Sequence, residues 1–254
     1  MLDYQAAPDL LKDKVILITG AGDGIGRQAA LSYGAHGAIV ILLGKTVKKL
    51  EAVYDELLAQ GSPEPAIVPL DLQGASRQHY LDMAETLRQQ FGRLDGVLFN
   101  AGLLGVLGPF EMIGEDEWDK VMQVNVKSQF LMTQALLPLL KASAPASLVY
   151  TSSGVGKQGR AYWGSYAVSK FATEGMMQIL AQELAGTGVR ANCINPGATR
   201  TGMRARAYPG EDPAALRTPA EIMGPYLYLM GDDSRALNGE SLDAQPDRLR
   251  PRGH

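Results

Sequence analysis

The chain alternates short, continuously apolar runs with longer stretches in which apolar residues return every three or four positions. Six runs have the length of strands: "VILIT" (Val15–Thr19), "AIVILL" (Ala38–Leu43), "AIVPL" (Ala66–Leu70), "LDGVLF" (Leu94–Phe99), "SLVYTS" (Ser147–Ser152) and "VRANCI" (Val189–Ile194). They are apolar throughout rather than at alternate positions, which predicts strands covered on both faces, as in a parallel sheet. Between them, Tyr80, Met83, Ala84, Leu87 and Phe91 repeat at helical spacing, as do Trp118, Val121, Met122 and Val126. Pro138 is expected to bend or close the long helix that begins near Glu115. The segment at about 199–218 carries Arg, Gly and Pro with little periodicity and reads as a mobile lid over a pocket. With no linker and no internal repeat, the alternation predicts one α/β domain over residues 1–254. Its expected form is a doubly wound parallel β-sheet flanked by helices, with the ligand crevice at the carboxyl ends of the strands.

Composition narrows the classes. A hydrophobic content of 46% is ample for a core, and a formal charge of −3 gives no electrostatic reason to expect nucleic acid or an anionic membrane surface. Cys193 is the only cysteine, and His36, His79 and His254 are scattered, without CxxC or HExxH spacing, so no metal site is expected. No apolar run approaches the length of a membrane span, and "MLDYQAAPDLLKDK" lacks the basic and apolar regions of a signal peptide. A soluble cytoplasmic protein is the expectation.

"TGAGDGIG" (Thr19–Gly26) follows the first strand and opens a helix. Gly20 permits a tight turn, Gly24 lets backbone approach a pyrophosphate, and Gly26 allows close helix–strand packing, with Gly22 making the run denser. Free N–H groups at the helix start favour phosphate charge. An ordinary glycine-rich βα turn has the same letters. At the end of the second strand come Gly44, Lys45 and Thr46, with no carboxylate before Glu51. Lys45 would pair with a ribose 2′-phosphate and Thr46 would add a hydroxyl, which favours NADP(H) without excluding NAD(H). A solvated Lys45 is the plainer reading, and Asp23 would bring a carboxylate toward the same ribose. Asp71, with Leu72 beside it, either accepts a hydrogen bond from the adenine amine or caps a helix starting near Gly74. "NAG" (Asn100, Ala101, Gly102) ends the fourth strand and lets backbone pass close to the adenosine ribose.

Downstream, Tyr166 and Lys170 lie four residues apart and so share one helical face, and Ser153 stands thirteen positions before the tyrosine. A free phenol has a pKa near ~10, and a neighbouring ammonium favours phenolate. Tyr166 is then the proton donor or acceptor, Ser153 fixes the substrate oxygen, and Lys170 also holds ribose hydroxyls. Taken singly, Tyr166 and Lys170 also read as a surface pair, and Ser153 as a strand end.

Together these residues resemble the short-chain dehydrogenase/reductase family, nearly end to end. Its TGxxxGxG is Thr19–Gly26, with Ile25 inside it; its NNAG is "FNAG", with Phe99 for the first Asn; its YxxxK is "YAVSK". Its serine spacing selects Ser153 over Ser152. Its "PG" is Pro196–Gly197, followed by Thr199 and by Thr201, whose hydroxyl would bind the nicotinamide carboxamide beside Ile194. The resemblance implies a Rossmann-type fold, NADP(H), a small-molecule carbonyl or alcohol substrate, and a homodimer or homotetramer pairing the helices around 115–140 and 164–186. It also implies that Asn125 sits at a helix kink and anchors a water that joins Lys170 to solvent. The ending "GESLDAQPDRLRPRGH" departs from the short strand and Asp-Gly-Gly with which many relatives close, which argues against tetramer contacts through the tail. Leu103, Leu104, Val155, Trp163 and Met203 would wall an apolar substrate pocket, or equally pack in the core. Two other readings keep the nucleotide: an epimerase or dehydratase, and a nucleotide-sensing protein without turnover.

Overall fold

Each apolar run forms a strand in the computed structural model, which describes residues 3–248; His254 and the end of the tail lie outside the described residues. The chain runs β1 (Val15–Thr19), α1 (Gly24–Ala35), β2 (Ile39–Gly44), α2 (Val47–Ala59), β3 (Ala66–Pro69), α3 (Arg77–Phe91), β4 (Gly96–Phe99), α4 (Glu115–Met122), α5 (Ser128–Ala142), β5 (Ala146–Thr151), α6 (Gly164–Glu183), β6 (Val189–Asn195), α7 (Gly202–Ala207), α8 (Met223–Met230) and β7 (Ser241–Asp243). The strands form one sheet in the order β3-β2-β1-β4-β5-β6-β7, every pair parallel. The winding reverses between β1 and β4, and this opens a crevice beyond their carboxyl ends.

Alternate strand residues feed two cores, because successive side chains point to opposite faces. Val15 and Leu17 join α3, α5 and α6 on one face; Ile16 and Ile18 join α1, α2 and α8 on the other. This is why the runs are apolar at every position.

Three expectations change. The helix starting at Glu115 is not closed by Pro138, which lies inside α5, four residues before its end at Ala142. The irregularity lies earlier, in a π-helical turn at Gln123–Lys127 between α4 and α5. Asp71 does not cap a helix near Gly74: α3 starts at Arg77, where the backbone N–H of Ser76 donates to Nδ1 of His79 (3.0 Å), while Asp71 Oδ1 accepts from Gln73 N (3.1 Å). The polar segment after Gly239 does close with a short strand, β7, whose Cys193↔Ser241 and Asn195↔Asp243 register places it on the edge of β6.

Candidate active site

The glycine loop is shaped by contacts that exclude side chains. Gly20 (φ 69°) lies so near β4 that a Cβ would stand 3.0 Å from the Ala101 Cα. At Gly26 a Cβ would fall 2.2 Å from the Gly20 carbonyl oxygen and 2.7 Å from Asn100 Nδ2. Buried Thr19 shapes the cradle from behind: its hydroxyl oxygen accepts from the N–H groups of Asn100 and Ala101, both at 3.0 Å, tying β1 to the end of β4. Ile25 packs into the core beneath the loop.

Beside the loop opens a cleft of about 280 Å³, lined by Gly20, Gly22, Asp23, Lys45, Thr46, Asp71, Leu72, Ala101 and Gly102 among the expected residues. Lys49, on the first turn of α2, also lines it and was not anticipated. The signal was its nearness in sequence: Lys49 lies four residues beyond Lys45, at the start of the helix that follows. Asp23 caps α1 with Oδ1 accepting from Gly24 N (2.8 Å), and Oδ2 meets Lys49 Nζ at 2.5 Å. The hydrogen bond from Lys49, with that from Gly24, holds this carboxyl below its ordinary value. A bare backbone turn, a helix N-terminus and two lysines at the rim fit a phosphorylated nucleotide. A wider, open groove of about 690 Å³ between Gln73 and α4–α5 contains none of the expected site residues.

Gly102 joins the cleft to the chemistry: a Cβ there would lie 3.4 Å from Asn125 Oδ1 and 3.8 Å from Lys170 Nζ. Ser153 stands near enough to Tyr166 to lower its phenol's pKa. Ser152 is buried, and its hydroxyl has no hydrogen-bond partner among the described residues. Lys170, 2% exposed, donates to the Thr151 carbonyl (2.7 Å), and its Nζ stands 5.5 Å from the Tyr166 ring centroid. The π-helical turn carries Asn125 inward. Its Oδ1 accepts from Leu103 N (2.7 Å), and its Nδ2 donates to Leu103 O (2.9 Å) and Ser169 Oγ (3.0 Å). Ser169 donates in turn to the Tyr166 carbonyl (2.7 Å).

Burial dominates the electrostatics of both groups. Burial pushes Tyr166 up to about 12, only partly offset by nearby Ser153, and burial pushes Lys170 down to about 8. Both groups have lost water, and the ammonium spends a hydrogen bond on Thr151 rather than on the phenol oxygen.

Leu104, Val155, Trp163 and Met203 gather around Tyr166 and Ala167 as a small apolar cluster. Leu103 does not join them; it packs on the main core and lines the cleft. Ile194 is fully buried in the α1/α2/α8 core. After β6, Gly197 (φ 71°) turns the chain, its N–H held by Asn195 Oδ1 (3.1 Å). Buried Thr199 donates to the Pro196 carbonyl (3.2 Å), and Thr201 caps α7 through Arg204 N (3.2 Å). The Thr201 methyl would lie 3.5 Å from a Cβ on Gly24, so this loop comes up against the glycine loop. The 199–218 segment contains α7 and is cross-braced: Arg200 donates to Pro213 O (2.7 Å) and Leu216 O (3.2 Å), and Arg204 grips Glu211 at 2.5 and 2.6 Å.

Comparison with known proteins identifies the family. The family model described as short chain dehydrogenase matches residues 14–212. The uncharacterized oxidoreductase YciK of Escherichia coli is 53% identical over 247 residues, covering 97% of this chain and 98% of that one. A solved structure from Pseudomonas syringae matches with TM-score 0.95 and 55% identity, covering 96% of this chain and all of the other. One from Shigella flexneri, complexed with NADP, matches with TM-score 0.92 and 53% identity, covering 94% of this chain and all of the other.

Proposed function

The chain belongs to the short-chain dehydrogenases, a family of oxidoreductases, and from that premise we propose that it transfers a hydride between NADP(H) and a small ketone, aldehyde or secondary alcohol. The observation that carries this reading is the meeting of Ser153, Tyr166 and Lys170 where Gly102 ends the nucleotide cleft. The NADP complex of the Shigella flexneri relative supports the choice of coenzyme. So do Lys45 and Lys49 at the cleft rim, where a 2′-phosphate needs cations.

Ser153 holds the substrate oxygen beside the phenol. With its pKa raised to about 12, Tyr166 stays protonated at neutral pH and stands ready to donate to the oxygen of a reduced carbonyl. In the oxidative direction Tyr166 accepts that proton, and Lys170 in its charged form favours the resulting phenolate. Lys170 is positioned to hold ribose hydroxyls, and Asn125 to order a water beside it that carries protons to solvent. The cluster of Leu104, Val155, Trp163 and Met203 supports an apolar substrate body. Exposed Phe130 on α5, with Val168, Phe171 and Ile179 on α6, supports pairing of two copies through these helices.

Purified protein is expected to oxidise NADPH with members of a ketone and aldehyde panel, faster than NADH. Tyr166→Phe should cut kcat at least about a hundredfold while NADPH still binds. Wild-type turnover in that variant would overturn the assignment. Coenzyme binding without turnover across the panel would favour a sensing role.

A further inference from the structure

Gln245 follows β7 by two residues, in the ending set apart above as atypical, and is 1% exposed. Its side chain turns back under the loop that leaves β6. Nε2 lies 2.8 Å from the Pro196 carbonyl oxygen, 3.0 Å from that of Ala198 and 3.2 Å from Thr199 Oγ1. Two of these partners are carbonyls, which only accept, so the amide nitrogen and not the oxygen occupies this corner. Gly197, between those carbonyls, packs closely on Gln245: a Cβ there would meet Gln245 atoms at 3.2, 3.3 and 3.4 Å, so the glutamine would have to give way slightly. The loop is therefore moulded on this one side chain.

Neighbouring contacts fix the position from which Gln245 reaches. Asn195 Nδ2 donates to Asp243 Oδ1 (2.7 Å), and Ala244 N donates to Asn195 O (2.8 Å). Beyond it, Arg217 grips Asp247 through two hydrogen bonds at 2.9 and 2.8 Å. Gln245 Oε1 is buried and meets no donor among the described residues. A side chain retained for stability alone is poorly served by such a stranded acceptor, and violations of this kind concentrate at functional sites. Two residues past Thr199, Thr201 lies against Gly24 of the glycine loop.

We propose that Gln245 is a positioning residue of the coenzyme site, holding Pro196–Thr199 in the shape that sets Thr201 opposite the glycine loop, at the nicotinamide end. The inference rests on reading the cleft as an NADP(H) site. Its test is titration of the purified apo chain with NADPH and with 2′-phospho-ADP-ribose, which lacks the nicotinamide. Wild type, Gln245→Ala and the near-isosteric Gln245→Met are compared, with a melting curve for each. NADPH affinity should fall about five- to tenfold in both variants, while affinity for the fragment changes less than about twofold. Equal losses for the two ligands, or no loss in either variant, would overturn the assignment. Failure of both variants to fold would also overturn it, by making Gln245 a purely structural residue. A wild-type chain that binds neither ligand removes the NADP(H) reading itself, and the inference with it.

Discussion

Lys170 carries its charge where water cannot reach it, held to one carbonyl, and its pKa falls from 10.5 to about 8. At neutral pH it is protonated, so the folded state bears the desolvation cost. A shift of this size corresponds to at most about 3 kcal/mol, of which the lost Thr151 hydrogen bond would return about 1 kcal/mol on substitution. Lys170→Met is therefore expected to be inactive yet to melt a few degrees higher than wild type at pH 7. Between about pH 8 and 10.5 the unfolded chain keeps a proton that the folded chain has released, so wild-type stability climbs through that window. The variant's lead should shrink accordingly, and melting curves from pH 6 to 10 check both signs. At the cleft rim, Lys45→Asp should lower the NADPH/NADH preference in kcat/KM at least tenfold, since it sets a carboxylate against a phosphate. The identity of the Ser153–Tyr166–Lys170 group was legible because it follows from helical spacing and a fixed offset. Its protonation bias was not, because burial is conferred by β5 and the turn at Gly154–Gly156, where a Cβ on Gly156 would press within 2.8 Å of Lys170. Lys49 and Gln245 were missed for related reasons: one reads as a solvated helix residue, and the other acts on a loop 46 to 49 positions upstream.

Among the elements, those defined by their own side chains were readable and those defined by partners were not. β1 and β6 begin where their apolar runs begin, whereas β7 is three residues of mixed polarity and exists only by pairing with β6. Pro138 misled because a helix interior loses one hydrogen bond to proline, and packing of Leu136, Leu139 and Leu140 in the core carries α5 past it. The π-helical turn left no mark in the apolar spacing, yet it delivers Asn125 to Leu103 and Ser169. Element packing also makes one small substitution severe. Gly26→Ala puts a methyl 2.2 Å from the Gly20 carbonyl, so α1 must move off the glycine loop. This should cost about 1–3 kcal/mol in urea denaturation and weaken NADPH binding more than tenfold.

At the scale of the molecule, one sheet with helices on both faces followed directly from runs that are apolar at every position. The proposed pairing of two copies rests on family resemblance. Phe130 on α5, and Phe171 and Ile179 on α6, are exposed apolar side chains on the two helices proposed to pair. Light scattering after gel filtration is expected to give about twice the 27.2 kDa chain mass, and a Phe171→Asp, Ile179→Asp double variant about once.

Cys193, the single cysteine, lies on β6 beside the edge strand β7 with no exposed surface, and burial holds its thiol well above the ordinary range. The molecule thus carries its own clock for global opening. An aromatic disulfide reagent should titrate one sulfur per chain, at a rate set by unfolding rather than by reagent concentration, and saturating NADPH should slow that clock in proportion to its affinity.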